Sequence, residues 1–440
     1  MSSRPVTLLV LRLGLAYTLL YSLRNLITTA SAYLFDVGDL SRRTFAIMQT
    51  TSFFFIFLCK FASGPLLRYV RGFNRLVAFF ICIQLGTCIC FSALGIIGIT
   101  RASGTLLACF FVLVYCVVKL SASFTRVTVL ELIYRSPDHQ IQTFGVITTT
   151  LQILACIGDA GGKYALGMFL NMTSLKEYAD RRNVPRWCVP MLIISSTAVI
   201  GILSSATLFR RGRVISRSTT FKSKTAQGVA QPREILRQLA GNPRFLICCG
   251  NSLITSAISV AMGTYGSHFM RYKIGIASEN VPLYDSLSPF FILFGIGIGG
   301  FLINRFSHWR SRVLCFMMFP SLIATGVLVY LTFGHDISFI GMLALYYIHQ
   351  TCFYAFQNSL DGAYLMCVVE PGLAPSATGI VSGIGYVGGL AVPFTILKYS
   401  TSSEGWTLIL QCVFALEMLM LLPMVVLMIL DMRRRTDGQT

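Results

Sequence analysis

Arg24 stands in the middle of an apolar stretch, Tyr17 to Tyr33, that is long enough to belong to a membrane helix. An arginine at bilayer depth costs about 3 kcal/mol or more on insertion scales, so it persists only where it faces a cavity or a partner. Its guanidinium is a rigid fork of donors that suits a phosphate or a carboxylate. Arg24 therefore marks a candidate anion-binding site; the alternative is a buried structural ion pair.

Arg24 belongs to a stripe of polar side chains within this apolar stretch. Tyr17, Tyr21, Arg24 and Thr28 are four, three and four residues apart. On a helix, that spacing places side chains on one face. We expect these four residues to line a path and to bind substrate.

A second polar stripe occurs in a later apolar segment. It consists of Gln350, Tyr354, Gln357, Asp361 and Tyr364, again at helical spacing. Facing lipid, such a stripe would be costly, so we expect it to share one central cavity with Arg24. Its hydroxyl and amide groups suit a sugar or polyol, and Tyr354, Gln357 and Asp361 are predicted to bind substrate. Asp361 could also bind a proton or a cation, or form an interhelical ion pair with no role in transport.

Further charged residues in apolar segments could complete an anion site. Lys119 and Arg126 share a face of one predicted helix, and Lys163 follows Asp159 by four residues in the next. The acid-to-base order favours an intrahelical ion pair, so Lys163 is either neutralised by Asp159 or a ligand for an anion. We predict Arg126 as the second anion ligand, and Asp159, Lys163 and Asp361 as possible sites of charge or proton coupling.

The elements that must position these residues are membrane helices. The chain has 440 residues, of which 55% are hydrophobic and 12% charged, and its mean hydropathy is +0.70. Apolar stretches of about 20 residues, the length that crosses a bilayer, predict twelve spans. They lie approximately at 9–34, 45–67, 76–99, 105–134, 141–170, 188–209, 245–270, 286–304, 312–333, 337–369, 375–398 and 406–430.

The net charge of +19 does not indicate nucleic-acid binding, because the basic residues are concentrated in loops on one side of the predicted membrane. This bias predicts that both termini are cytoplasmic. It also places the sequon Asn171-Met172-Thr173 on the opposite side. The kind of membrane stays open: endoplasmic reticulum, another endomembrane or the plasma membrane.

No motif indicates catalysis or a bound cofactor. The 14 cysteines contain no CxxC pair and fall mostly within predicted helices, which is typical of small packing residues. We recognise no metal cluster, no nucleophile with a general base and no nucleotide-binding loop. We therefore expect a protein that is not an enzyme, with no metal and no cofactor.

The chain repeats itself across a basic segment. The Gly64 to Arg68 motif after the second span matches Gly300 to Arg305 after the eighth, with nearly the same offset that relates Gly145 to Gly379. Such agreement indicates duplicated six-helix halves of one orientation. The predicted divisions are an N-terminal half at 1–209, a basic cytoplasmic linker at 210–243, a C-terminal half at 244–430 and a cytoplasmic tail at 431–440.

Four short motifs resemble those of a known family. They are Tyr17-x3-Tyr21-x2-Arg24 in helix 1, Lys60-Phe61-x2-Gly64 in helix 2, Leu239 to Phe245 before helix 7, and Gly385-Tyr386-Val387-Gly388-Gly389 with Gly405-Trp406 around helix 11. They resemble the major facilitator superfamily and, within it, the organophosphate:phosphate antiporter family of sugar-phosphate and glycerol-phosphate exchangers.

The resemblance implies an all-α membrane protein with the major facilitator fold, in which twelve transmembrane helices form two six-helix pseudo-repeats. It also implies that Arg24 binds a phosphoryl group. The residues that match the gating motif are Gly64, Arg68, Gly300, Asn304 and Arg305.

Three positions depart from the family pattern. Arg68 stands where the superfamily prefers an aspartate, and Asn25 stands where a second base would follow Arg24. Ser259 occupies the position in helix 7 where the family expects a basic residue. The second positive charge of an anion site must therefore come from elsewhere.

The expected function is secondary active transport of a small anionic organic solute, a phosphorylated sugar or glycerol phosphate exchanged for inorganic phosphate. The expected partners are that solute and the lipid bilayer, with the protein acting as a monomer. One alternative is a proton-coupled carrier of a neutral or zwitterionic solute. Another is a membrane sensor or scaffold that does not transport.

Overall fold

The computed structural model describes residues 4–69, 73–100, 104–134, 141–211, 232–333, 338–370 and 373–436. These residues form helices joined by short connections, and no strand occurs among them. The central part of the predicted linker and the end of the predicted tail lie outside the described residues.

Six long helices build the first half. Helix 1 is interrupted once, and a short helix, Thr173–Arg182, follows helix 5. The bounds are Arg4–Arg24 and Leu26–Asp36 for helix 1, Arg42–Tyr69 for helix 2, Phe73–Ile99 for helix 3, Gly104–Tyr134 for helix 4, Ile141–Asn171 for helix 5 and Cys188–Arg211 for helix 6.

Six more helices build the second half, after a short amphipathic helix at Pro232–Ala240. Helices 7 and 10 contain π-helical segments, which are frequent at functional sites. The bounds are Pro243–Ser259, Val260–Thr264, Gly266–His268 and Phe269–Lys273 for helix 7, Val281–Asp285 and Ser288–Arg305 for helix 8, Arg310–Leu331 for helix 9, Phe339–Asn358, Ser359–Tyr364 and Leu365–Val368 for helix 10, Ala374–Leu390 and Val392–Leu397 for helix 11, and Ser403–Thr436 for helix 12.

Eight of the described helical segments are long and apolar enough to cross a membrane, and Cys188–Ser204 in helix 6 is a shorter apolar helix. The other three long helices are not among these, and each contains a charged residue. Helix 1 contains Arg24, helix 2 contains Lys60, and helix 10 contains Asp361. Helix 12 continues to Thr436, beyond the predicted end of the last span. Asp431 in this extension forms an ion pair with Arg244 of helix 7 at 2.8 Å.

Glycines bring helix 5 into backbone contact with helix 1, and helix 11 into backbone contact with helix 7. A Cβ on Gly158 or Gly162 of helix 5 would lie closer than 3.0 Å to a backbone oxygen of helix 1, that of Thr18 or Ser22. Likewise, a Cβ on Gly388 of helix 11 would lie closer than 3.0 Å to a backbone oxygen of helix 7. Small residues allow such close approach in lipid, where hydrophobicity does not drive helix association.

The corresponding contacts follow the predicted repeat. Helix 5 packs on helix 1 as helix 11 packs on helix 7. Gly64 lies five residues before Tyr69, the end of helix 2, and Gly300 lies five residues before Arg305, the end of helix 8. The two glycines therefore occupy equivalent ends of the paired helices.

The two halves meet closely at the end of the bundle away from the chain termini. There Arg271 of helix 7 donates to the Oδ2 of Asp36 in helix 1 at 2.9 Å. Lys176 of the short helix Thr173–Arg182 pairs with Glu279, which precedes helix 8. Gly167 of helix 5 packs against Leu283. We call this region the far end of the bundle.

Candidate functional site

Arg24 ends the first segment of helix 1, and its guanidinium lies against a pair of tyrosines. The guanidinium carbon is 4.9 Å from the centre of the Tyr21 ring. The Tyr17 hydroxyl donates to the Tyr21 hydroxyl at 2.9 Å, and both rings are buried. Within the described part of the chain, Arg24 forms no ion pair and its Nε, although buried, has no hydrogen-bond acceptor.

Asn25 interrupts helix 1 immediately after Arg24. Its backbone lies at φ −114° and ψ 4°, in a sparsely populated region between helix and strand. Its side-chain Nδ2 donates to the Oδ1 of Asp159 in helix 5, and its Oδ1 accepts from the Nζ of Lys119 in helix 4, both at 2.8 Å. One amide thus holds a cation on one side and a carboxylate on the other.

Lys163 lies between two carboxylates. Its Nζ is 3.3 Å from the Oδ2 of Asp159 and 3.0 Å from the Oδ2 of Asp285 at the start of helix 8. Asp285 also accepts from Thr29 of helix 1 at 2.9 Å and from Ser288 at 3.2 Å. Because Asp285 belongs to the second half, this buried network joins the two halves.

The basic groups of the site outnumber its carboxylates. Arg24, Lys119 and Lys163 face two carboxylates, Asp159 and Asp285, and both carboxylates bind Lys163. Lys119 is 8% exposed and bonds to a neutral amide, with its Nζ 5.1 Å from the centre of the Tyr115 ring. Among the described residues, Arg24 and Lys119 are therefore the basic groups of the site that form no ion pair with either carboxylate.

The second half contributes tyrosines to the same region. The Tyr354 hydroxyl of helix 10 lies 2.9 Å from the Oγ of Ser259 in helix 7, and Tyr354 lies close enough to Arg24 and Lys163 for their charges to act on it. Tyr386 of helix 11 also lies near enough to Arg24 for their charges to interact. The surroundings of Arg24 thus include tyrosines from both halves.

The second polar stripe is divided among several environments. Gln350 donates to the Met262 carbonyl at 3.3 Å, and Tyr364 donates to Asp431 at 3.1 Å. Asp361 lies in the π-helical segment Ser359–Tyr364, beside Cys248 of helix 7. It is seven residues beyond Tyr354, about 10 Å along the helix axis, toward the end of the bundle that holds the chain termini.

Other predicted site residues are placed as follows. Thr28 is buried, and its hydroxyl donates to the Asn25 carbonyl at 2.8 Å. Among the described residues, none donates a hydrogen bond to the buried Oε1 of Gln357. Asn304 and Arg305 are exposed at the end of helix 8. The side chains of Arg68 and Arg126 lie outside the described residues, so Arg126 stays a prediction as second anion ligand.

Sequence reasoning missed part of this network. The sequence offers Lys119 as a possible source of positive charge on the face of Arg126, but it predicts Arg126 as the ligand and identifies Asn25 only as a departure from the family pattern. Asp285 and Thr29 belong to neither predicted stripe, and Asp285 ends the short first segment of helix 8, Val281–Asp285, one residue before the predicted span at 286–304. The available signal is that Asp285 is an acid directly before an apolar span in a chain with few acids, as Asp159 is an acid within one.

Comparison with solved structures identifies the architecture. A bacterial homologue of the human lysosomal transporter Spinster, in an inward-facing and unoccupied conformation, matches with a TM-score of 0.76 and 14% identity over 98% of this chain and 99% of that chain. The nucleoside transporter NupG matches with a TM-score of 0.64 and 15% identity over 95% of this chain and 98% of that chain.

A bacterial homologue of the iron transporter ferroportin, in an outward-facing state, matches with a TM-score of 0.66 and 15% identity over 96% of this chain and 98% of that chain. No protein-family model and no curated protein matches the sequence. The organophosphate:phosphate antiporter family is therefore not confirmed. The similarity over the whole length, together with the apolar helices, shows that this chain is an integral, multi-pass all-α membrane protein with the twelve-helix major facilitator fold.

Proposed function

We propose that the chain is a secondary transporter of a small organic anion, a phosphorylated sugar or glycerol phosphate that it exchanges for inorganic phosphate. The observation that carries this proposal is that two basic groups of the site, Arg24 and Lys119, have no carboxylate partner among the described residues. Both cations are held by neutral groups, a tyrosine pair and an asparagine amide. A buried charge without a counterion is costly, and an anionic substrate would remove that cost.

The substrate chemistry follows from the donors. A guanidinium binds phosphate oxygens through two parallel hydrogen bonds, whereas an ammonium acts as a point charge. Tyr17, Tyr354 and Ser259 add hydroxyl groups that suit the hydroxyls of a sugar or glycerol. The similarity to transporters named for nucleosides and iron supports carriage of a solute but does not favour a phosphate ester. The proposal of a phosphate ester rests on the basic groups of the site and on the motifs of helix 1.

The two-half architecture supports alternating access about this site. Ion pairs and hydrogen bonds hold the halves together at the far end, among them Lys163 with Asp285 and Arg271 with Asp36. With both termini in the cytoplasm, the conformation in which the far end is held together would admit substrate from the cytoplasmic side. Rocking of the halves would then break the far-end contacts and open the site to the other side.

The test is counterflow in proteoliposomes that contain the purified protein and are loaded with inorganic phosphate. We expect labelled phosphate to exchange with a subset of sugar phosphates or glycerol phosphate. The matched control for each ester is its unphosphorylated sugar or polyol, which should not exchange. Uptake of the uncharged compound without internal phosphate would contradict the proposal.

A proton-coupled carrier of a neutral or zwitterionic solute is the second candidate. The position of Asp361 in a π-helical segment favours it, because such segments are frequent at functional sites. In this case uptake would depend strongly on pH and would need no phosphate on the opposite side. The same proteoliposomes, with a pH gradient in place of internal phosphate, distinguish the two candidates.

A further inference from the structure

A groove on the surface of the second half lies outside the candidate site. It is formed by helices 7, 11 and 12, and its volume is about 180 Å³, less than the roughly 300–1,000 Å³ typical of pockets that enclose a whole small molecule. Its lining is apolar and includes Ala257, Ala261, Val392, Ile396, Ile409 and Val413.

The groove faces the hydrocarbon part of the membrane within one leaflet. Its lining on helix 12 extends from Leu408 to Leu416, which is about 12 Å of helix and less than half of the roughly 30 Å hydrocarbon core. Leu408 is 42% exposed. The hydroxyl of Thr395, which also borders the groove, donates to the Ala391 carbonyl at 3.2 Å and so offers no unsatisfied donor.

The rim of the groove at the far end is basic. The Nζ of Lys398 lies 5.6 Å from the centre of the Tyr399 ring, which forms part of the groove wall. The Nζ of Lys273 lies 3.2 Å from the hydroxyl of Thr407, the residue before Leu408. Glu404 precedes Leu408 by one helical turn and lies on the same face. Two ammonium groups and one carboxylate leave one positive charge in excess at the rim.

We propose that this groove binds one acyl chain of an anionic phospholipid, with the phosphate of that lipid near Lys398 and Lys273. The apolar lining suits the chain, and the excess charge at the rim selects an anionic headgroup over a zwitterionic one. This site is separate from the transport site and does not depend on the function proposed above.

The groove and the candidate site share one turn of helix 7. Ala257 and Ala261 are four residues apart and face the groove, whereas Ser259 lies on the opposite side of the helix and contacts Tyr354. The π-helical segment Val260–Thr264 begins in this turn. A lipid in the groove would therefore contact the helical turn that positions Ser259.

The test uses the purified full chain in detergent, equilibrated with equal amounts of phosphatidylglycerol and phosphatidylcholine that carry the same acyl chains. Native mass spectrometry then measures which lipid stays bound. We expect phosphatidylglycerol to be retained several-fold more than phosphatidylcholine. Lys398→Gln combined with Lys273→Gln should bring the ratio to one or below, because Glu404 then remains as the only charge at the rim, and Glu404→Gln should raise it.

Two further variants separate the roles of the rim and the groove. Cys412→Trp places a large ring in the groove lining and should reduce retention of both lipids. Arg182→Gln removes an exposed base at a distance, in the first half, and should change neither. A thermal melt of each variant confirms that it is folded. Equal retention of the two lipids by the unmodified protein, or full retention of phosphatidylglycerol by folded Cys412→Trp, would overturn the proposal.

Discussion

Lys119 donates a hydrogen bond to the side-chain oxygen of Asn25 at 2.8 Å, and the nitrogen of the same amide donates to Asp159. The amide thus positions Lys119 next to Arg24 without neutralising it. A second base at position 25 would instead attract Asp159 and repel Lys119. The residue that departs from the expected helix 1 pattern is therefore the one that holds the second cation of the site.

Arg24→Lys should impair phosphate exchange although it keeps the positive charge. A lysine cannot reproduce the paired hydrogen bonds of a guanidinium to phosphate, and hydrogen bonds to charged groups contribute about 1.5–3 kcal/mol. We therefore expect the rate of counterflow at limiting phosphate to fall by roughly ten- to a hundredfold. Arg182→Lys, at an exposed arginine, is the control. Normal exchange by Arg24→Lys at equal protein abundance would rule out Arg24 as the bidentate ligand.

Lys119→Gln tests the second cation. It removes the positive charge but leaves an amide that can still bond to Asn25, so the packing of helix 4 should survive. We expect weaker binding of phosphate, measured as a higher half-saturation concentration in counterflow. Arg126→Gln provides the comparison, because Arg126 is the alternative predicted ligand. If Arg126→Gln weakens phosphate binding and Lys119→Gln does not, then Arg126 is the second ligand.

The buried contact between Lys163 and Asp285 should contribute to closure of the far end. Lys163→Gln leaves Asp159 and Asp285 near each other without a counterion, whereas Asp285→Asn leaves Lys163 paired with Asp159. We expect Lys163→Gln to be the more destabilising variant, because an uncompensated buried charge costs several kcal/mol.

A double-mutant cycle measures this contact directly. Melting temperatures of both single variants and the double variant, taken in the same detergent, should show coupling of about 0.5–3 kcal/mol. The double variant should be less destabilised than the sum of the single variants, since it removes both charges. Strict additivity would show that the two side chains do not interact in the folded protein.

Gly162→Ala should destabilise the first half, and Gly161→Ala should not. An added Cβ at Gly162 would lie closer than 3.0 Å to the Ser22 carbonyl oxygen, so helices 1 and 5 would have to separate, whereas a Cβ at Gly161 meets nothing within 4 Å. Overpacking costs about 1–3 kcal/mol, while alanine at an unobstructed helical position gains about 0.5–1 kcal/mol over glycine.

Thermal melts of these two neighbouring variants provide a matched comparison. The melting temperature should fall for Gly162→Ala and stay level or rise for Gly161→Ala. Equal melting temperatures would mean that helices 1 and 5 do not touch at Ser22.

The fold was predictable because its determinants are local in sequence. Apolar stretches of membrane length define the helices, and the Gly64 and Gly300 motifs reveal the duplication. Arg24 could likewise be identified as a candidate site residue from its own charge and its apolar neighbours in sequence, since an arginine at bilayer depth needs a cavity or a partner. The interruption at Asn25 was not predicted, because asparagine alone does not break a helix.

The partners of the charged residues were harder to predict because they come from distant segments. Asp285 meets Lys163 across the boundary between the halves, and Lys119 reaches Asn25 from another helix. Periodicity shows which residues share a helix face but not which helix that face contacts. The stripe on helix 10 illustrates this limit, because Gln350 and Tyr364 bond to helices 7 and 12 instead of extending the region around Arg24.

Because helix 1 is interrupted at Asn25, its two segments are held by different parts of the protein. The segment before Asn25 is fixed to helix 5 through Gly158 and Gly162, whereas the segment after it bonds to the other half through Thr29 with Asp285 and Ser31 with His268. A change in the two backbone torsions of Asn25 would let the outer segment swing while the inner segment stays in place. The same rotation would move the Asn25 amide away from Lys119 and Asp159. Helix 1 would therefore bend in the same step in which the hydrogen bonds of Asn25 to Lys119 and Asp159 break.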